Sequence, residues 1–166
     1  MTLRVPRFLL LGAVIALTAG GCGEAEPSRA PSGLEADPWT PVSEQALTAQ
    51  IAAAREQAGS SGRRVLLDFV ADWCEDCREV VRLSHLEPAR TVIEEQYVVV
   101  YVEVGRFDRH RALIAEHRVD RIATLVVLDA ESGERVARRT LEPIHGEQRG
   151  LTSEALAAWL RAPSDS

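Results

Sequence analysis

The alternation of apolar and polar positions along this chain switches between a helical period and short continuous runs, and that switching predicts most of its elements. Ser43 stands where a helix N-cap would, and Ala46, Leu47, Ile51 and Ala54 recur at helical spacing until Gly59 ends the pattern. Arg64 to Val70 is a short, nearly unbroken apolar run, which suits a central strand buried on both faces, with Asp68 as the anomaly inside it. Helix is expected from Arg78 to Leu83, and a second helical stretch from Pro88 to Gln96. Tyr97 to Val104 is a strongly β-branched strand. A helix from Arg109 to His117 and a strand from Thr124 to Asp129 follow. Ser132-Gly133 then reads as a hairpin turn into a strand from Arg135 to Thr140. The last helix, Ser153 to Arg161, carries Leu156, Trp159 and Leu160 on one face. This order describes an α/β sheet ending in a β-hairpin and a helix, with no internal repeat.

Before all of these comes an apolar run from Phe8 to Ala19, too short to cross a bilayer as a stable helix and preceded by Arg4 and Arg7. It ends in Ala19-Gly20-Gly21 followed by Cys22, which resembles a bacterial lipoprotein signal whose cysteine is lipidated. The expected organisation is a lipoprotein-type signal peptide over 1–21, a flexible tether over 22–42, one domain over 43–162 and a tail over 163–166. Gly, Pro, Ser, Ala and Glu dominate the tether without apolar periodicity. The resemblance implies an exported protein on the periplasmic side of a bacterial membrane, anchored through Cys22. With Gly23 after the cysteine, a Gram-negative host would sort it to the outer membrane.

Composition narrows the function. The 166 residues hold 46% hydrophobic and 27% charged side chains, an ordinary globular balance that leaves room for a single core. All basic residues are Arg, and Lys and Asn are absent, as expected of a GC-rich genome. The net charge of -6 becomes about -8 once Arg4 and Arg7 leave with the signal, so nucleic acid is a poor partner. Of the three cysteines, lipidation of Cys22 leaves Cys74 and Cys77 as a pair in an oxidising compartment.

A C-x-x-C pair alone can be redox-active, half of a zinc site or a structural disulfide. Here it follows a buried strand and opens a helix, where unpaired N–H groups and the helix dipole stabilise a thiolate on Cys74. Zinc would need further ligands, and His85 is the other candidate nearby, so no metal is expected. Asp68, inside an apolar strand, has its carboxyl pushed up by desolvation into the range of a usable general base, unless backbone N–H groups satisfy it. Glu75 and Asp76 lie between the cysteines. A charge about 6 Å from a thiolate acts with roughly 0.7 kcal/mol in water and about 3 kcal/mol at an effective dielectric near 20. Two acids therefore oppose the dipole and favour the disulfide, giving a reducing couple. Both acids also suit the first turn of a helix for its own sake.

The run Val65-Leu66-Leu67-Asp68-Phe69-Val70-Ala71-Asp72-Trp73-Cys74-Glu75-Asp76-Cys77-Arg78 resembles the strand, active-site loop and helix of the thioredoxin superfamily. Within it the likeness is to exported thioredoxin-like proteins and the C-terminal domain of periplasmic transmembrane disulfide reductases. The resemblance implies a thioredoxin fold, a central mixed sheet flanked by helices. It implies Cys74 as the attacking thiol, Cys77 as the resolving one, Asp68 as the proton carrier and Trp73 as the aromatic beside the reactive sulfur. The family's substrate loop corresponds to Ile122-Ala123-Thr124, but Ala123 stands where a cis-proline is usual. A cis bond before a non-proline residue costs about 3–4 kcal/mol, so the isomer of the Ile122-Ala123 bond stays open, and a trans bond would shape the loop differently.

The four histidines, His85, His110, His117 and His145, show no ligand spacing and read as surface residues. Arginines from Arg106 to Arg121 read as a solvated helix face. The leading expectation is a monomeric, membrane-tethered thiol-disulfide oxidoreductase without a cofactor. Its partners would be disulfide-containing exported proteins or a membrane disulfide reductase. The alternative is a non-catalytic binding module on the same fold, holding copper or a client thiol, with a structural disulfide ranked last.

Overall fold

The computed structural model describes residues 31–165. The expected signal peptide, Cys22, the start of the tether and Ser166 lie outside the described residues. The elements are α1 (Glu44–Ser60), β1 (Arg64–Val70), α2 (Glu75–Ser84), α3 (Ala89–Gln96), β2 (Tyr97–Glu103), α4 (Arg111–His117), β3 (Thr124–Leu128), β4 (Arg135–Thr140) and α5 (Ser153–Arg161). They form a mixed four-stranded sheet ordered β2-β1-β3-β4, in which β1 runs parallel to β2 and antiparallel to β3, and β3 pairs antiparallel with β4. Among the described residues no helix is long and apolar enough to cross a membrane.

The two central strands are apolar on both faces because helices cover both. Six of the seven β1 residues and every β3 residue are buried. The Ser43 hydroxyl accepts from Ala46 N (3.2 Å) to start α1, which packs Leu47, Ala54 and Ala58 onto β1 and β2. Helices α2, α3 and α5 pack against one another. There Ser153 Oγ accepts from Ala89 N (3.2 Å) and donates to Leu86 O (2.8 Å), and the Tyr97 hydroxyl donates to Leu160 O. Leu156, Trp159 and Leu160 are buried, on the face the period indicated.

Each edge strand of the sheet has one backbone N–H taken up by a segment outside the sheet. From Pro31 the expected tether lies within the described residues, and there Ser32 to Leu34 docks on β2. Val99 N donates to Ser32 O (2.6 Å), the Tyr101 hydroxyl donates to Leu34 O (3.2 Å), and Leu34 is buried. Gly33 makes this approach with φ +79°, where an added Cβ would lie 2.3 Å from Val99 O. At the other edge the Asp165 carboxylate accepts from Arg138 N (2.7 Å). Such covers occupy strand groups that would otherwise pair with another chain.

Three expectations about α4 and the histidines change. The helix starts at Arg111, not Arg109, because His110 takes a left-handed conformation (φ 51°). His110 and His117 are buried, 1% and 4% exposed, not surface residues. His110 N donates to Glu44 Oε1 (2.8 Å) at the start of α1, and the His117 ring meets Phe69 edge-on at 6.2 Å. Burial pushes the His117 imidazole below its ordinary value. At the far end of α4, a bulge opposite Val127 and Leu128 brings Arg135 and Arg138 to one face. They donate to the His117 and Arg118 carbonyls, which a helix C-terminus leaves open.

Candidate functional site

The end of β1 delivers the chain into the site. Ala71 O accepts from Cys74 N (3.1 Å), turning the backbone so that Cys74 becomes the N-cap of α2. Its Sγ accepts from Cys77 N (3.0 Å). Cys74 and Cys77 are joined in a disulfide, with Sγ–Sγ 2.16 Å and Cα–Cα 5.2 Å. Cys74 is 5% exposed and Cys77 fully buried, so Cys74 is the sulfur-bearing residue with access to solvent.

Asp68 sits two residues before the end of β1, 3% exposed, and its Oδ1 has no hydrogen-bond partner. The backbone alternative is thus not met at that oxygen, and desolvation raises the carboxyl from 3.8 to about 7. Phe69 faces α4 through His117, so Asp68, its neighbour in an alternating strand, faces the opposite side of the sheet. Tyr101 is its register partner on β2, and burial, with the Asp68 charge second, pushes the Tyr101 hydroxyl up.

Trp73 is an exposed aromatic, held by Nε1 donating to Gly105 O (2.8 Å). The carbonyl is fixed in turn: Glu103 Oε1 accepts from Gly105 N (3.0 Å), and the other Glu103 oxygen pairs with Arg109. At the same end of the sheet, the register pair Phe69 and Thr124 sets the start of β3 beside the end of β1. The preceding Ile122-Ala123 bond is cis, the isomer that the sequence left open. Ala123 O accepts from Leu141 N (2.7 Å), and Thr124 Oγ1 lies 2.7 Å from Arg121 O and 2.8 Å from Thr140 Oγ1. The dithiol turn, the Trp73 loop and Ile122-Ala123-Thr124 therefore gather at one end of the sheet.

The two acids separate. Asp76, expected as a tuning charge, is 8% exposed and bound to a distant loop. Its Oδ1 accepts from Ile144 N (2.6 Å) and His145 N (3.3 Å), and its Oδ2 lies 3.1 Å from His145 Nδ1. Glu75 stays exposed, with Oε2 3.3 Å from His145 Nε2. The sequence reading missed His145, Glu103 and Gly105 as parts of this site. Nothing in the local pattern marks them, since His145 lies 69 residues from Asp76. His85 stands apart, 4.0 Å from Glu35. Among the described residues no group of three or more His, Cys, Asp or Glu is arranged to hold a metal. A cavity of about 300 Å³ between Gly33, Gln50, Val99 and Tyr101 includes neither cysteine.

A mixed sheet between helices, with a bonded cysteine pair closing the first turn of the helix after β1, is the disulfide-oxidoreductase fold of the thioredoxin class. The chain belongs to the thioredoxin-like family, whose pattern it matches over residues 46–130. It is similar to the disulphide isomerase of Xylella fastidiosa Temecula1, at 24% identity and TM-score 0.60, covering 73% of this chain and 94% of that one. It is also similar to the reduced C-terminal domain of Neisseria meningitidis DsbD, at 20% identity and TM-score 0.54, covering 70% and 93%. A DsbH oxidoreductase matches at 19% identity and TM-score 0.50, covering 87% and 96%. At these identities the likeness bears on the fold. No curated protein sequence matches the chain.

Proposed function

We propose that this protein is a membrane-tethered, monomeric thiol-disulfide oxidoreductase that reduces disulfides in exported proteins, or relays electrons to them from a membrane disulfide reductase. The observation that carries the reading is the Cys74–Cys77 disulfide at the start of α2, with Cys74 the accessible member. In the dithiol form the Cys74 thiolate attacks a client disulfide, forming a mixed disulfide and releasing one client thiolate. Cys77 gives its proton to the Asp68 carboxylate and its thiolate attacks Cys74 Sγ, releasing the second client thiolate and restoring the intramolecular disulfide. Two electrons pass to the client, and a dithiol donor must return them. A carboxyl at about 7 exchanges protons near neutrality, as this step requires. Trp73 and Ile122-Ala123-Thr124 would line the docking face.

The lean toward reduction rests on Glu75, the exposed acid one residue past Cys74. Export and anchoring rest on the leader and Cys22, and the similarity in fold to DsbD and DsbH proteins supports a disulfide-handling partner. The test is reduction of a disulfide-bonded protein by the purified full chain in detergent, supplied with a dithiol donor, with Cys74→Ser beside it and metal measured in the same sample. Activity lost in Cys74→Ser is expected. Wild-type activity no higher than that of Cys74→Ser would overturn the proposal, and stoichiometric metal with it would point to a binding module.

A further inference from the structure

His145 is exposed, 61% at its side chain, yet both its backbone amide and its ring meet acids at the start of the dithiol helix. Both of its ring nitrogens face carboxylate oxygens: Nδ1 lies 3.1 Å from Asp76 Oδ2 and Nε2 lies 3.3 Å from Glu75 Oε2. A neutral imidazole donates from one nitrogen only and would turn a lone pair toward one of the two carboxylates. The imidazolium meets both acids favourably, hydrogen-bonded at Nδ1 and at ion-pair distance at Nε2. The loop is fixed independently of the ring, because Asp76 Oδ1 also holds the Ile144 and His145 amides. The ring is thus delivered to the two acids by its own backbone. Other charges near the loop are engaged elsewhere or open to solvent: Glu142 pairs with Arg121 at 3.0 Å, Arg78 donates to Asp72 O, and Glu147 is exposed.

We propose that His145 is a positioning residue of the redox site: set between Asp76 and Glu75 as an imidazolium, it offsets the two acids beside Cys74 and so favours the reactive thiolate. This rests on the functional reading above and deepens it. With the ring charge beside them, the two acids act less strongly against the Cys74 thiolate than they would alone.

The readout is alkylation of Cys74 by iodoacetamide in the reduced full-length protein, in which the thiolate sulfur displaces iodide from carbon. It needs no client turnover, so it can fail while the oxidoreductase reading stands, and the reverse. His145→Gln keeps hydrogen-bonding capacity without charge, and His145→Lys keeps charge without the imidazole. A charge acting across one helical turn at intermediate dielectric gives an expected slowing of about threefold for His145→Gln at pH 6. His145→Lys should restore the wild-type rate at pH 6. An unchanged rate in His145→Gln, or failure of His145→Lys to restore the rate, would overturn the proposal. A ring that merely packs the loop would be lost alike in both variants, whatever their charge.

Discussion

Asp68 offers the sharpest test of the physical reasoning, because its consequence for stability is separate from its role in exchange. Folding moves the carboxyl from an ordinary 3.8 to about 7, with burial as the cause. A group raised in the folded state contributes fully below its unfolded value, and that contribution is lost as pH rises through the folded one. At about 1.4 kcal/mol per tenfold change, the displacement corresponds to about 4 kcal/mol of lost stability once Asp68 is ionised, of which roughly 3 kcal/mol develops between pH 5 and 8.5. Asp68→Asn removes the titration, while its amide adds a pH-independent offset from placing another polar group where Oδ1 has no partner. The assay is denaturant unfolding of the oxidised wild type and variant across that range, reading the difference between the two profiles. The wild type should lose a few kcal/mol relative to Asp68→Asn toward alkaline pH. Parallel profiles would show that Asp68 keeps an ordinary carboxyl in the folded protein, and the proton transfer assigned to it would lose its basis.

Two further outcomes follow from the edges and the buried histidine. Gly33→Ala must place a methyl against Val99 O at a backbone angle that disfavours side chains, so the docked segment should lift from β2, at a cost of about 1–3 kcal/mol. Hydrogen exchange at Val99 N, the donor to Ser32 O, should accelerate together with that loss. His117 is lowered by burial, so its contribution is present above an ordinary histidine value and is lost as pH falls through the folded one. His117→Leu should flatten the stability profile between pH 6.5 and 4.5; an unchanged acid limb would refute the assignment.

What was legible in the sequence is what local pattern determines. The β1 run announced a strand buried on both faces, and the same pattern exposed Asp68 as a polar residue that burial would perturb. The cysteine pair was legible as the opening of a helix because its position after that strand leaves little else for it to be. Residues whose surroundings come from afar were misread. His110 and His117 lie among charged neighbours and look like surface, but Glu44 and Phe69 meet them from 66 and 48 positions away. Leu34, alone among small and polar residues, has no periodicity to betray that it packs beside β2. The isomer of the Ile122-Ala123 bond stayed open, since the resemblance puts a cis-proline there while alanine carries none of proline's bias toward cis.

The acids between the cysteines show how such distant contacts alter electrostatics as well as packing. Two solvent-facing carboxylates within one turn of a thiolate would act alike and add. In the folded protein, two amides and an imidazole nitrogen surround the Asp76 carboxylate, so much of its field at Cys74 is met by donors on the Ile144-His145 side. Glu75 remains exposed, and a charge in solvent acts at the weak end of the range given above. Any reducing bias is therefore smaller than two free acids would produce, and it depends on whether the ring of His145 is charged. Asp76, chosen from sequence as a tuning charge, also anchors the loop that brings that ring to the site.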